Sequence, residues 1–132
     1  MKIGLFICDC GKNISGTINV ESLKKHFGNE ERFPEVFVLE DQYLCSELGL
    51  TKITEAIEKE NIDRVVIAAC SFKLHGTLFR KTVEKAGINR FLISFANIRE
   101  QNSWVHSKSP KKATKKAIDQ IEMALGQAKL LE

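Results

Sequence analysis

The chain contains four cysteines, and their spacing is the first feature that points to chemistry. Cys8 and Cys10 form a C-x-C pair, whereas Cys45 and Cys70 each stand alone. Thiolates are ligands that zinc and iron–sulfur clusters use in proteins. The cysteines therefore suggest a metal or redox site, provided that the fold brings them together.

Four short apolar runs are typical of strands that are covered on both faces, because they scarcely alternate with polar residues. These runs are Lys2–Cys8, Val36–Leu39, Arg64–Cys70 and Phe91–Phe95. Each run is followed by a segment with the apolar period of a helix. The apolar positions of the four predicted helices are Val20, Leu23 and Phe27; Ile53, Ala56 and Ile57; Leu78, Phe79, Val83 and Ala86; and Ala113, Ala117, Ile121, Ala124, Ala128 and Leu131.

Residues at the ends of these segments predict where the helices begin and end. Gly28 and Gly87 can end the first and third helices, and the second runs to about Asn61. Ser109 can cap the last helix, and Pro110 suits its first position. The alternation of strand and helix predicts an α/β fold of three layers. A four-stranded, mainly parallel sheet would lie between helices on both faces, with a long C-terminal helix, and residues 1–132 would form a single domain.

The predicted strands would carry all four cysteines to one edge of the sheet. Binding sites in open parallel sheets lie at the carboxyl ends of the strands. Cys8 and Cys70 close the first and third runs, Cys10 follows Cys8 in a turn, and Cys45 lies in the loop after the second run. We therefore expect the four thiols to converge on one site.

Several kinds of site remain open for these cysteines. Zinc takes four sulfurs tetrahedrally, and a [4Fe–4S] cluster takes one cysteine per iron. Structural zinc usually binds C-x-x-C pairs, which this chain lacks, so the spacing favours the cluster. The alternatives are a structural zinc site, a metal-free protein-interaction module with four free thiols, small buried core residues at Cys8 and Cys70, and a redox disulfide within the C-x-C pair.

Composition is that of an ordinary soluble domain, with 43% hydrophobic and 28% charged residues. No apolar stretch approaches the roughly 20 residues of a membrane-spanning helix, and no signal-peptide pattern is visible. We therefore expect a cytoplasmic protein without a membrane partner. The sequence also has no phosphate loop, nucleotide-binding fingerprint or nucleophile with its base, so we expect no catalysis by the chain alone.

The net charge is +3, and many of the positive charges come late in the chain. These late lysines are Lys108, Lys111, Lys112, Lys115 and Lys116. They have two interpretations, a solvated helix face or a docking patch for an acidic partner. No nucleic-acid-binding motif accompanies them, so nucleic acid is not an expected partner.

Four segments of the chain follow a pattern known from one protein family. They are Ile7-Cys8-Asp9-Cys10-Gly11-Lys12-Asn13-Ile14; Tyr43-Leu44-Cys45-Ser46; Cys70-Ser71 with His75 and Leu78-Phe79-Arg80; and Ala96-Asn97-Ile98-Arg99-Glu100-Gln101 with Ser103-Trp104-Val105-His106. In order and spacing they resemble the N-terminal domain of the heterodisulfide reductase A-subunit, an iron–sulfur flavoprotein.

This resemblance implies an electron-transfer domain whose [4Fe–4S] cluster is bound by the four cysteines. The family takes part in electron bifurcation in methanogens, and relatives serve other anaerobes. FAD would then belong to a partner or to a further domain. The expected partners are a flavoprotein, as a domain or as a separate chain, and other iron–sulfur subunits. Pairing with a second copy of the chain is left open.

The resemblance also identifies residues that would line the cluster. Gly11 would let the backbone approach it and donate amide hydrogen bonds to its sulfurs. Asn97 and Arg99, after the fourth predicted strand, and His75 are the other candidates. The chain departs from the family pattern at Asn102, where many members have a cysteine, and at Ser71-Phe72, where Ser-Pro is common.

Overall fold

The structure, a computed structural model, describes residues 2–9, 18–69, 72–89, 92–98, 102 and 108–130, without the side chains of residues 72–75. Strands and helices alternate through these ranges. Their bounds are β1 (Ile3–Cys8), α1 (Val20–Phe27), β2 (Val36–Asp41), α2 (Glu47–Glu60), β3 (Arg64–Ala69), α3 (Phe72–Lys85), β4 (Ile93–Asn97) and α4 (Pro110–Leu130).

The strands of the described residues form one parallel sheet in the order β2-β1-β3-β4. Helices α1 and α4 pack together on one face, α1 against β2 and α4 against β3 and β4. Helices α2 and α3 pack together on the other face, against β1 and β4 respectively. This arrangement confirms the predicted three-layer α/β fold.

Burial differs between the central and edge strands. Every residue of β1 is buried, and in β3 only Arg64 is not. Strand β2 is covered less completely than predicted, because all six of its residues are only half-buried. The reason is its position at the end of the strand order, where a single neighbour, β1, covers one of its sides.

Helix α4 confirms the predicted alanine-rich stripe. The stripe residues within the described range, Ala113, Ala117, Ile121, Ala124 and Ala128, are all buried, as is Leu125. Their small side chains let the helix backbone approach β3 and β4 closely. The helix begins at Pro110 as predicted, and the Ala113 amide donates to Ser109 O at 2.9 Å.

The other helices confirm the predicted periodicity and differ at some ends. Gly28 follows the last residue of α1, and Asn61 caps α2 with a left-handed φ of 52°. Helix α3 begins at Phe72, before the first predicted apolar position, Leu78. It ends at Lys85, just before the last predicted position, Ala86.

Strand β4 lies two residues later than its apolar run predicted. The run began at Phe91, which lies outside the described residues, and the strand extends from Ile93 to Asn97. Pairing with β3 sets these bounds, because Val65 and Ala69 face Ile93 and Asn97 across the ladder. Hydrophobicity alone could not locate this register.

Two glycines allow a test of the backbone conformation after α3. Gly87 has a φ of +97°, and a Cβ added there would meet no atom within 4 Å. Gly87→Ala should therefore lower the free energy of unfolding by about 1–2 kcal/mol, the cost of a left-handed conformation for an L-residue. Urea unfolding measures this change.

Gly126 is the matched control, because a Cβ there also meets no atom within 4 Å but the residue lies within α4. Gly126→Ala should raise the free energy of unfolding by roughly 0.5–1 kcal/mol. Equal stability of the two variants would show that Gly87 does not need its left-handed conformation.

Candidate metal centre at the carboxyl edge of the sheet

Cys8 is the last residue of β1 and lies at the carboxyl edge of the sheet. Its side chain is buried, with 7% of the residue exposed. The Cys8 thiol donates to the carbonyl oxygen of Gln42 at 3.7 Å, and Gln42 is the first residue after β2. The thiol therefore lies against the loop that carries Cys45.

Cys45 is half-buried, and hydrogen bonds on both sides of it fix its loop. The Asp41 carboxylate accepts from the Tyr43 amide at 3.1 Å. The Ser46 amide and hydroxyl both donate to Tyr43 O, at 3.2 and 2.7 Å. The Ser46 hydroxyl also accepts from the Gly49 amide at 3.1 Å, which caps α2. Cys45 is thus held between a turn and a helix cap.

Two carboxyl groups beside this loop have opposite pKa shifts. The Lys52 ammonium, 2.7 Å from Asp41 Oδ2, holds the pKa of Asp41 below its usual range mainly by hydrogen bonding. Burial raises the pKa of Glu40, and a hydrogen bond with Asp9 raises it further, against the opposing effect of Lys24. The edge thus carries one stable carboxylate, while a neighbouring carboxyl group takes up a proton more readily than usual.

The remaining predicted ligands and site residues cannot be placed. Cys10, Gly11, Cys70 and Arg99 lie outside the described residues. His75 belongs to α3, but its side chain is not described. The structure therefore brings two of the four predicted ligands to one edge, and the set as a whole stays a prediction.

Asn97, which was expected to follow the fourth strand, is the last residue of β4. Its carbonyl oxygen accepts from Gln120 Nε2 at 2.8 Å. The Asn102 side-chain amide, on a fully buried residue, donates to Gln120 Oε1 at 2.8 Å and to Ala113 O at 2.9 Å. This network fixes the end of β4 and Asn102 against α4.

Sequence reasoning missed Gln120. The available signal was a polar residue at a helical interval from Ala113, Ala117 and Ala124, within the apolar stripe of α4. Gln120 is half-buried at this position, so its amide needs partners inside the protein. Here those partners come from the end of β4 and from Asn102.

Asn102 is unsuited to replace a thiolate ligand. Both of its donated hydrogen bonds go to oxygen acceptors, and this fixes the orientation of the amide. The remaining atom, Oδ1, is buried without a hydrogen-bond partner in the described part of the chain. An amide oxygen is a hard donor, whereas iron–sulfur clusters take soft thiolates. Asn102 therefore has a structural role here.

The donor chemistry at the edge fits an iron–sulfur cluster in part. Cys8 and Cys45 supply two sulfur donors from neighbouring strand ends. No cluster of three or more His, Cys, Asp or Glu side chains suited to a metal occurs within the described ranges, which exclude Cys10 and Cys70. Within the same ranges, no helix is both long enough and apolar enough to span a membrane.

The strand order and the helices that connect the strands define a doubly wound parallel α/β domain. Cysteines lie at the carboxyl edge of its sheet. A similar fold occurs in the solution structure of a phosphate-loop protein, with a TM-score of 0.51 and 18% sequence identity. The match covers 85% of this chain and 91% of that one. At this identity the similarity concerns the fold alone.

Sequence relatives are far more similar. The chain is 46% identical over 132 residues to the A-subunit of the H(2):CoB-CoM heterodisulfide,ferredoxin reductase of Methanothermobacter marburgensis. It is 47% identical over 131 residues to the A-subunit of the Ferredoxin:CoB-CoM heterodisulfide reductase of Methanosarcina mazei. It is 43% identical over 132 residues to the second iron-sulfur A-subunit of the CoB--CoM heterodisulfide reductase of Methanopyrus kandleri.

Each of these matches covers 99% of this chain, which spans only 20%, 16% and 20% of the respective relatives. The chain is thus homologous to a domain of the heterodisulfide reductase A-subunit, the family that its sequence segments resemble. No family model matches the chain.

The Cys45 loop makes a specific prediction at Gly49. A Cβ added there would clash with Tyr43 O and lie 2.6 Å from Leu44 O, both backbone atoms. Gly49→Ala should lower the free energy of unfolding by about 1–3 kcal/mol and make Cys45 react faster with alkylating agents. Urea unfolding and timed alkylation measure these effects, with Gly126→Ala as the control. A Gly49→Ala variant with unchanged stability and alkylation would contradict the rigid loop.

The Asn102 network makes a second prediction. Asn102→Ala removes the amide donor to Gln120 Oε1 and Ala113 O, so it should lower the free energy of unfolding by about 1–3 kcal/mol. Asn102→Asp should be more damaging at neutral pH, because a carboxylate oxygen would face those two acceptors. Urea unfolding measures the free energy of unfolding of both variants. If Asn102→Asp were the more stable of the two, the assigned amide orientation would be excluded.

Proposed function

We propose that the domain holds a [4Fe–4S] cluster at the carboxyl edge of its sheet and transfers electrons within a reductase of the heterodisulfide reductase type. The observation that carries the proposal is the contact of the Cys8 thiol with the loop that bears Cys45. Cys10 comes two residues after Cys8, and Cys70 directly follows β3, which pairs with β1. This chain order is what convergence of all four thiols requires.

The proposed roles follow from ligand chemistry. One thiolate would bind each iron, from Cys8, Cys10, Cys45 and Cys70, and the bound cluster supplies one-electron redox chemistry. Gly11, Asn97, Arg99 and His75 are proposed to line the cluster. Hydrogen bonds donated to its sulfurs from this lining would raise its reduction potential. Because Cys45 is half-buried, electrons would travel only a short distance between the cluster and the protein surface.

The partners are also part of the proposal. The chain spans about one fifth of relatives whose names describe reductase subunits, and one of these names includes the words iron-sulfur. We propose that this domain exchanges electrons with a flavoprotein domain or separate flavoprotein chain, which holds the FAD, and with other iron–sulfur subunits. It would act in the cytoplasm, in anaerobic energy metabolism such as methanogenesis, and would catalyse no reaction alone.

Single substitutions of the ligands test the proposal. Cys8→Ser, Cys10→Ser, Cys45→Ser and Cys70→Ser should each lower the iron and sulfide content after anaerobic reconstitution, because each removes one thiolate. The visible absorbance that bleaches with dithionite should fall in parallel. The matched control is Met123→Ser, which removes the sulfur of a side chain that is 69% exposed on α4.

The control should reconstitute like the unmodified chain. Full iron and sulfide in both Cys8→Ser and Cys45→Ser would refute the ligand assignment. Binding of zinc alone would identify a structural zinc domain instead.

A further inference from the structure

The first turns of α4 extend beyond the carboxyl ends of the strands. Gln120 Nε2 donates to the carbonyl oxygen of Asn97, the last residue of β4, whereas α4 begins at Pro110. With a rise of about 1.5 Å per residue, Pro110 stands up to about 15 Å beyond the level of Gln120. The overhanging turns pack beside the start of α1, where the Asn19 amide donates to Thr114 Oγ1 at 2.9 Å.

Four exposed lysines lie on and just before this overhang and are called the lysine cluster: Lys108, Lys111, Lys112 and Lys115. None of their side chains forms a hydrogen bond or ion pair within the described residues. Four lysines elsewhere form ion pairs, in Lys2–Glu60, Lys24–Glu40, Lys52–Asp41 and Lys129–Glu35. Other exposed lysines, such as Lys25 and Lys59, are spread over separate helices, whereas the cluster places four at one helix end.

Folding does not explain why positive charge gathers at this helix end. Cations are unfavourable near a helix N-terminus, which carries the positive end of the dipole. The first turn of α4 contains no acidic residue that would offset them. The described residues thus give the cluster no stabilising role in the fold, although it lies at the edge that carries Cys8 and Cys45.

The same edge exposes apolar surface around Cys45. Tyr43 is 51% exposed and Leu48 is 76% exposed, and they flank the cysteine loop. Apolar and aromatic side chains near the centre, with charged groups around them, are typical of protein–protein contacts. The edge thus offers both kinds of surface that a protein partner uses.

We propose that the lysine cluster is a docking site for an acidic protein that exchanges electrons with the cysteine edge, an inference that rests on the proposed function. Such encounters are commonly small and steered by complementary charge. A protein is favoured over nucleic acid, because the lysine cluster shares its edge with the exposed apolar side chains of Tyr43 and Leu48, which suit a protein contact. Among the described residues, the exposed lysines of this edge that form no ion pair gather at its α4 end.

Charge reversal tests the site with an acidic ferredoxin, kept oxidised, as the probe. The variant carries Lys108→Glu, Lys111→Glu, Lys112→Glu and Lys115→Glu. The control carries Lys25→Glu, Lys59→Glu, Lys81→Glu and Lys85→Glu, which are exposed lysines of α1, α2 and α3. Both variants change four residues by two charge units each, which shifts the net charge from +3 to −5.

Calorimetric titration should show that the lysine-cluster variant binds ferredoxin about tenfold or more weakly than the unmodified chain. The control should bind it only roughly twofold more weakly. The difference should shrink at high salt, since the Debye length is about 8 Å at 0.15 M ionic strength. Urea unfolding checks that both variants fold, and lysine-to-glutamine versions replace any that do not.

Equal losses in both variants would overturn the proposal, because net charge alone would explain them. Tighter binding of a single-stranded oligonucleotide than of ferredoxin, lost in the same variant, would also overturn it in favour of nucleic acid. The titration involves no electron transfer and the metal content is measured separately. Suppose that the chain takes up no iron after anaerobic reconstitution but still binds ferredoxin through the lysine cluster. That result would refute the proposed function and leave the docking site standing.

Discussion

The parallel pairing of β1 with both β2 and β3 is the constraint on which the candidate site depends. Because all three strands run in one direction, their carboxyl ends meet at one edge. Cys8 faces Asp41 in the register, so its thiol reaches Gln42 and the start of the Cys45 loop. A shift of this register would separate the two thiols, even if each strand kept its own conformation.

A large part of this arrangement could be predicted from the sequence, because its signals are local. The apolar runs located β1 and β3, and the helical period of Ala113, Ala117 and Ile121 located α4. Cys8 was placed correctly at a strand end, since the run that it closes is also the strand. The sequence predicts a strand or helix correctly where one local apolar pattern determines both its position and its ends.

The features that could not be predicted depend on residues far apart in the chain. The bounds of β4 follow from its pairing with β3, and the half-burial of β2 follows from the strand order. Gln120 gained its role from partners at Asn97 and Asn102, which only the folded chain brings near. The lysine cluster likewise gains a functional meaning only once α4 is seen to overhang the strand ends.

Metal analysis of the anaerobically purified chain tests the central claim most directly. The account predicts about four irons and four sulfides per chain, no zinc, and visible absorbance that bleaches on reduction with dithionite. Absence of iron after anaerobic reconstitution, or binding of zinc alone, would contradict the account. The cysteine edge would then be a structural or protein-binding feature that carries no electrons.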